Sequence, residues 1–204
     1  MIAALTLVAC WLAPAIGARR WRALDPAQRA VWWWLLLGAV LNTLLYATTL
    51  RGIRNAPLAW ATFPLYGFVG LRGLLTLEPR PRVRTVSWAG FALYCVLWLV
   101  TGVPRNDFSS YAGPLLWVLL CTVATLILIR RIAETRTPLH DFGTLIAIGL
   151  LITYLPIIAL EPLGTVIYAE SPQLFTRLWH GRIVLAIAGS LIFAWAYLPR
   201  PGRT

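Results

Sequence analysis

The sequence predicts an all-α fold, a polytopic transmembrane bundle of seven helices with its N-terminus outside and its C-terminus inside. Three observations carry that prediction. Seven apolar stretches, each close to the ~20 residues that cross a ~30 Å hydrocarbon core, fill nearly all of the 204 residues. The chain is 59% hydrophobic with a mean hydropathy of +0.73 and only 12% charged residues, against roughly 25% charged in a soluble domain. Its arginines collect in alternate connections. Helix is preferred over strand because backbone groups in lipid must be satisfied internally, and barrel strands are shorter and alternate in polarity.

The elements follow in order. Helix 1 covers residues 2–17. Leu7-Val8-Ala9-Cys10 looks like a lipoprotein cleavage box, but the charges Arg19 and Arg20 come after the apolar run and none precedes it. A signal peptide has the reverse order, so an uncleaved first helix is expected. Asp25-Pro26 breaks the next connection, and helix 2 covers 31–50. Helix 3 covers 57–77 and stops at Pro79-Arg80-Pro81-Arg82. Helix 4 covers 86–103, and helix 5 covers 113–131 with a twin arginine at its end. Thr137-Pro138 precedes helix 6, 141–160, with Asp141 as its N-cap. Helix 7 is assigned to 174–198. Its unbroken apolar run begins only at 183, but Ser171-Pro172 reads as an N-cap and a first-turn proline. The tail Pro199-Arg200-Pro201-Gly202 ends it. The connection between helices 6 and 7, residues 161–181, is the longest, and its mixed polarity predicts a partly amphipathic turn in the headgroup region. A single domain, 1–204, is expected.

Charge sets the orientation. There are 18 basic residues, all arginine, and a formal net charge of +11. With the N-terminus outside, Arg19, Arg20, Arg22, Arg29, Arg72, Arg80, Arg82, Arg84, Arg130, Arg131, Arg136, Arg200 and Arg203 fall on the cytoplasmic side. Arg51, Arg54, Arg105, Arg177 and Arg182 fall on the other. Basic residues concentrate inside, which selects N-out, C-in. The same arginines meet the anionic headgroups of the bilayer at about 1 kcal/mol each, so no nucleic-acid partner is needed to explain them. The all-arginine, Ala-, Leu- and Trp-rich composition points to a GC-rich bacterial genome and hence to a multi-pass protein of the cell inner (plasma) membrane.

Several chemistries are excluded or disfavoured. No lysine is present, so a retinal Schiff base cannot form. Ionisable side chains at mid-membrane are rare and functional, and this chain places essentially none there, against a proton or sodium pump. Arg72 is the deepest and is expected to snorkel toward the headgroups. His140 and His180 fall at opposite ends of the bundle, so they cannot ligate one haem. Glu161, Glu170 and His180 are donor types that zinc accepts, but Arg177 and Arg182 oppose a cation, and no cofactor is expected. No serine shares a face with a histidine and a carboxylate. Cys10, Cys95 and Cys121 all lie within helices, so no disulfide framework is indicated. The eleven tryptophans map mostly near the two interfaces, where indoles are stable.

Mild polarity remains on single helix faces. Asn42, Tyr46 and Thr49 share a stripe of helix 2, Thr62 and Tyr66 of helix 3, and Ser87, Tyr94 and Thr101 of helix 4. Thr122 and Thr125 on helix 5 and Thr153 and Tyr154 on helix 6 add to these. Such groups usually hydrogen-bond between packed helices at around 0.6 kcal/mol each. Read functionally, Asn42, Tyr46, Tyr66, Tyr94 and Tyr154 would face a ligand, and an outer cluster of Glu161, Glu170, Arg177 and His180 would gate it or bind a partner. Ala186, Ser190 and Ala194, and Gly67, Gly70 and Gly73, are close-approach stripes for helix packing, within the chain or between protomers.

Helices 1 and 5 both end in twin arginines, and helices 3 and 7 both end in Pro-Arg-Pro. This three-plus-one-plus-three layout resembles that of sugar transporters of the SWEET type, although the Pro-Gln pair of that family occurs only as Pro172-Gln173, outside the expected membrane span. Gly52-Ile53-Arg54-Asn55, Leu58, Phe142, Tyr154 and Leu178-Trp179-His180 resemble a group of small, uncharacterised bacterial seven-helix integral membrane proteins. The likeness covers most of the chain and implies a fold without an activity. The sequence departs from that group's aromatic-acidic pair in helix 3, having Tyr66-Gly67 and later Arg72. More loosely, the layout resembles the seven-helix sensor modules of histidine kinases, with no kinase following. The function expected is that of a non-enzymatic sensory, ligand-binding or partner-binding membrane module, with a membrane-protein partner or homo-oligomer as its associate. A small-solute facilitator is the alternative, and an intramembrane lipid-modifying enzyme the second alternative.

Overall fold

The structure, a computed structural model, describes residues 2–101 and 112–199. The expected last residues of helix 4 (102–103), Arg105 and the tail from Arg200 onward lie outside the described residues. All regular structure among the described residues is helical: α1 (Ile2–Arg19), α2 (Pro26–Leu50), α3 (Ala56–Thr76), α4 (Pro81–Thr101), α5 (Ala112–Glu134), α6 (Phe142–Glu170) and α7 (Pro172–Ala196), with short 3-10 turns at Trp21–Ala23 and Pro138–His140. Six of these helices are long and apolar enough to cross a membrane, and α1 contributes a shorter apolar stretch, Ala4–Arg19. The chain is a multi-pass helical membrane protein.

Helix starts follow from local chemistry. The Asp25 carboxylate accepts from the Gln28 amide at 2.8 Å, and the Gln28 side chain accepts from the Asp25 amide at 3.1 Å. This reciprocal cap, with Pro26 at the first position, starts α2 five residues before the apolar run. Pro81 likewise begins α4 ahead of residue 86. Asp141 caps α6 as expected, accepting from the Thr144 amide at 2.8 Å. The Ser171 hydroxyl accepts from the Leu174 amide at 3.3 Å, with Pro172 opening α7.

The connection between helices 6 and 7 differs from expectation. Helix α6 continues 29 residues through Pro156 and Pro162 to Glu170, and Ser171 alone links it to α7. A proline removes one backbone bond, and the intact bonds on either side hold the helix. At 1.5 Å per residue, α6 is about 43 Å long, longer than a ~30 Å hydrocarbon core. The long headgroup-level turn is therefore a helical hairpin that stands beyond the core.

The helices close a ring in the order α1, α2, α3, α5, α6, α7, with α7 returning to α1. Helix α4 lies outside it, packed on α3 and α5 through Ser87, Phe91 and Tyr94. One end of the ring carries most of the arginines and holds the turns after α1, α3 and α5; the opposite end carries the chain start and the turns after α2 and α6. Two close approaches set the wall spacing. At Gly70 an added Cβ would stand 2.6 Å from Trp34 Nε1, so this glycine makes the slot in which the Trp34 indole is fully buried. At Gly189 it would meet Thr153 Oγ1, and Gly149 O at 2.7 Å, which fixes α7 against α6. The stripe of Gly67, Gly70 and Gly73 thus packs within one chain. Trp32, Trp34 and Trp117 are buried by protein, whereas Trp33 and Trp195 are exposed.

The arginine-rich end is tied by carboxylates. Glu78, fully buried between α3 and α4, receives Arg80 Nε at 2.7 Å and Arg80 Nη2 at 3.0 Å, with Arg130 Nε at 3.5 Å. Arg130 also donates to Leu77 O at 2.5 Å, and Arg131 reaches Asp141 at 3.4 Å. Burial alone would push the Glu78 carboxyl up, but the hydrogen bonds and charges of Arg80 and the charge of Arg130 hold it below the usual carboxylate range. Arg72 is exposed on α3, one turn from that helix's end.

Candidate functional site

Inside the ring lies a cavity of two joined lobes. The first, of about 130 Å³, lies among α1, α2, α6 and α7, bounded by Cys10, Leu35, Ala39, Thr153, Ser190 and Phe193. The second, of about 210 Å³, reaches toward the opposite end and is bounded by Leu45, Thr62, Phe63, Trp117 and Glu161. Gly38, Asn42, Tyr66, Tyr154, Ile157 and Arg182 line both lobes and join them. Thr153 lies twelve residues past Asp141, about 18 Å from the arginine-rich end, and Glu161 about 30 Å from it at 1.5 Å per residue. The cavity therefore runs from the middle of the bundle to its opposite mouth.

Each polar group is held by a specific contact. The Tyr66 and Tyr154 hydroxyls are 2.6 Å apart, one donating to the other. Tyr154 stacks on Trp117 with ring centroids 4.1 Å apart, and Tyr66 meets Trp117 edge-on at 5.6 Å and Trp34 at 5.8 Å. Gly38 makes room for Tyr66, whose ring would lie 3.1 Å from an added Cβ. The Asn42 amide nitrogen donates to Gly38 O at 2.9 Å. Its amide oxygen has no protein partner among the described residues, and Asn42 is exposed where it lines the lobes. Arg182 holds its guanidinium carbon 4.2 Å from the Trp179 ring centroid. Its buried Nε has no hydrogen-bond partner among the described residues.

The candidate residues thus divide. Asn42, Tyr66 and Tyr154 meet in one cavity, and Glu161 joins them from the outer cluster. Tyr46 is half-buried on α2 and lines neither lobe. Tyr94 is buried against Phe91, centroids 5.8 Å apart, on the outlying helix α4. Glu170, Arg177 and His180 are exposed around the tip of the α6–α7 hairpin, away from the lobes. His140 is exposed near the arginine-rich end. Among the described residues no group of histidine, cysteine and carboxylate side chains could hold a metal ion.

The sequence places Arg182 near the start of helix 7, as an outer-side arginine that opposes a cation, and not among the ligand-facing residues, yet it lines both lobes. The signal for it lies in helical spacing: Arg182 precedes Ala186 and Ser190 by four and eight residues on one stripe, and all three line the first lobe. The hydroxyls also behave differently from expectation. Those of Thr62, Thr122, Thr125, Thr153 and Ser190 bond back to carbonyls three or four residues earlier in their own helices, a local option open to Ser and Thr. Bonds between helices come chiefly from aromatic donors, as in Trp32 Nε1 to Pro14 O at 2.8 Å and Trp98 Nε1 to Trp60 O at 2.9 Å.

A separate polar hollow of about 220 Å³ at the arginine-rich end is lined by Arg20, Asp25, Gln28 and Tyr197. Its groups serve the fold. Arg20 donates to Tyr197 O at 2.6 Å and the Tyr197 hydroxyl to Gln28 O at 2.9 Å, locking the end of α7 to the start of α2. No protein-family model, curated protein or solved structure matches the chain.

Proposed function

We propose that this chain is a non-enzymatic ligand-binding module of a cell's inner membrane, threaded through seven spans with its arginine-rich end in the cytoplasm. The observation that carries the reading is the two-lobed cavity around Asn42, Tyr66 and Tyr154. It has the composition of a small-molecule site, mostly aromatic and aliphatic walls with a few convergent polar groups. Its floor favours binding over the alternative of a small-solute facilitator. Trp34, Ile146 and Leu150, all fully buried in the core toward the arginine-rich end, support a cavity closed on that side. A lipid-modifying enzyme has less support, because both histidines are exposed and away from the lobes. At the cytoplasmic end, the exposed Arg19, Arg22, Arg72, Arg82, Arg84 and Arg136 would meet anionic headgroups, while Arg130 and Arg131 hold the fold. The bacterial assignment rests on composition alone.

Native mass spectrometry after gentle solubilisation tests the reading. The wild-type chain should retain one small molecule per cavity, and Asn42→Trp, which fills the junction of the lobes, should lose it. Identical spectra for the two proteins would overturn the reading.

A further inference from the structure

We propose that the cavity selects a small zwitterionic amphiphile: a cationic nitrogen set against Glu161, an anionic group against Arg182, and a short apolar portion in the first lobe. The inference deepens the ligand-binding reading and rests on it.

Glu161 on α6 and Arg182 on α7 line the same lobe and interact electrostatically. They do not close into an ion pair, for no nitrogen–oxygen distance between them falls within 4.0 Å. Glu161 accepts no hydrogen bond from a described residue, and Arg182 Nε donates none. Although Arg182 rests on the Trp179 ring, half-buried charges that are not paired with an opposite charge are costly. A ligand bringing one charge of each sign satisfies both groups and leaves the cavity neutral. A ligand with a single charge leaves one unbalanced in a medium of low dielectric.

The walls match each half of such a headgroup. The rings of Phe63 and Trp117 line the same lobe as Glu161, and Glu161 Oε2 and the Phe63 ring both lie over Gly113. Aromatic rings attract an alkylated ammonium, most strongly when several surround it. The Arg182 fork suits an oxyanion such as phosphate or carboxylate. Asn42 Oδ1 and the tyrosine hydroxyl pair add polar contacts at the junction. Arg182 is the one charged residue lining the first lobe, whose deeper wall is Ala13, Leu35, Ala39 and Phe193. Lobes of about 130 and 210 Å³ suit a headgroup and a short chain, below the ~300 Å³ at which drug-sized pockets begin.

The test uses the whole protein in phosphatidylglycerol nanodiscs, titrated with hexylphosphocholine, hexyltrimethylammonium and hexyl phosphate, with bound mass read by native mass spectrometry. Hexylphosphocholine should bind one per chain, at least tenfold tighter than either probe that carries charge of one sign only. Glu161→Gln should weaken it about tenfold and bring hexyl phosphate level with it. Arg182→Gln should do the same in favour of hexyltrimethylammonium, with Arg182→Lys, which keeps the charge, as its folding-competent companion. That crossed pattern is not produced by a general loss of structure. Competition by diacyl phosphatidylcholine added to the discs would assign a lipid headgroup as the source, and its absence a free amphiphile; either agrees with the proposal. Wild-type affinities within threefold of one another, or no hexylphosphocholine binding, overturn it. If Asn42→Trp then abolishes binding of all the probes equally, the ligand-binding reading stands without the charge selection; if it changes none, that reading falls as well.

Discussion

Tyr66 and Tyr154 stand 88 residues apart in the chain, yet their hydroxyl oxygens meet at 2.6 Å in the centre of the helix ring. Each hydroxyl is the other's polar partner in an aromatic wall, so the two side chains act as one unit. Removing either oxygen leaves its partner without that bond. Tyr66→Phe and Tyr154→Phe are each expected to lower stability by about 0.6 to 1.7 kcal/mol, and the double variant by little more than one of them. A double-mutant cycle measured by reversible unfolding in mixed micelles checks this; additive losses would show that the hydroxyls are not coupled.

Glu78 ties the arginine-rich end, and its sign under acid is defined. Its carboxyl is held below the usual range in the folded protein, so its stabilisation is fully present above the unfolded value of about 4.3. It is lost as the pH falls through the lowered folded value. Thermal stability of the wild type should therefore decline below about pH 4, and Glu78→Gln should flatten that part of the profile. At neutral pH the same variant should be less stable than the wild type, because it removes the carboxylate that Arg80 meets at 2.7 Å and Arg130 at 3.5 Å, although Arg130 keeps Glu134 at 2.8 Å. A profile of melting temperature against pH for both proteins decides it.

The α6–α7 contact tolerates no added methyl at its tightest point. Gly189→Ala would drive a Cβ into Thr153 and within 2.7 Å of Gly149 O, and a loss of about 2 kcal/mol or more is expected from overpacking. Gly181→Ala, also in α7, meets nothing within 4 Å, and should be neutral or stabilise by up to about 1 kcal/mol through helix propensity. Melting temperatures of the two variants should move in opposite directions.

Threading is tested by labelling. In a background with Cys10, Cys95 and Cys121 replaced by alanine, Gly52→Cys should react with a membrane-impermeant maleimide on intact cells. Arg136→Cys should react only after permeabilisation. The reverse pattern would invert the proposed orientation.

The spans were legible because hydropathy and proline placement act locally. Asp141 and Ser171 are helix caps in the sequence and in the structure alike. The hairpin tip was not legible: Pro162 and the mixed polarity after Leu160 look like a loop, yet α6 runs on to Glu170, where Tyr168 meets Phe175 of α7 edge-on at 5.5 Å. Three of the five ligand-facing candidates, Asn42, Tyr66 and Tyr154, converge, because they share polar stripes with the ring's interior. Tyr94 obeys the same periodicity on α4, but its stripe is buried against neighbouring helices away from the lobes. Residue type indicates that a helix face is polar; which face turns inward depends on the ring order, a long-range property. Threonine stripes mislead for the same reason, since their hydroxyls find acceptors one turn away.

Helix α4 stands apart from the wall, and the direction of travel explains why it must exist. Helices α3 and α5 are neighbours in the ring and run the same way, from the mouth toward the arginines, so no short link can join the end of one to the start of the other. A return stroke across the bilayer is obligatory, and α4 supplies it. It also brings the count of strokes among the described residues to seven, so that α1 begins and α7 ends at opposite ends of the ring, and the second trio of helices runs in the same up-down sense as the first.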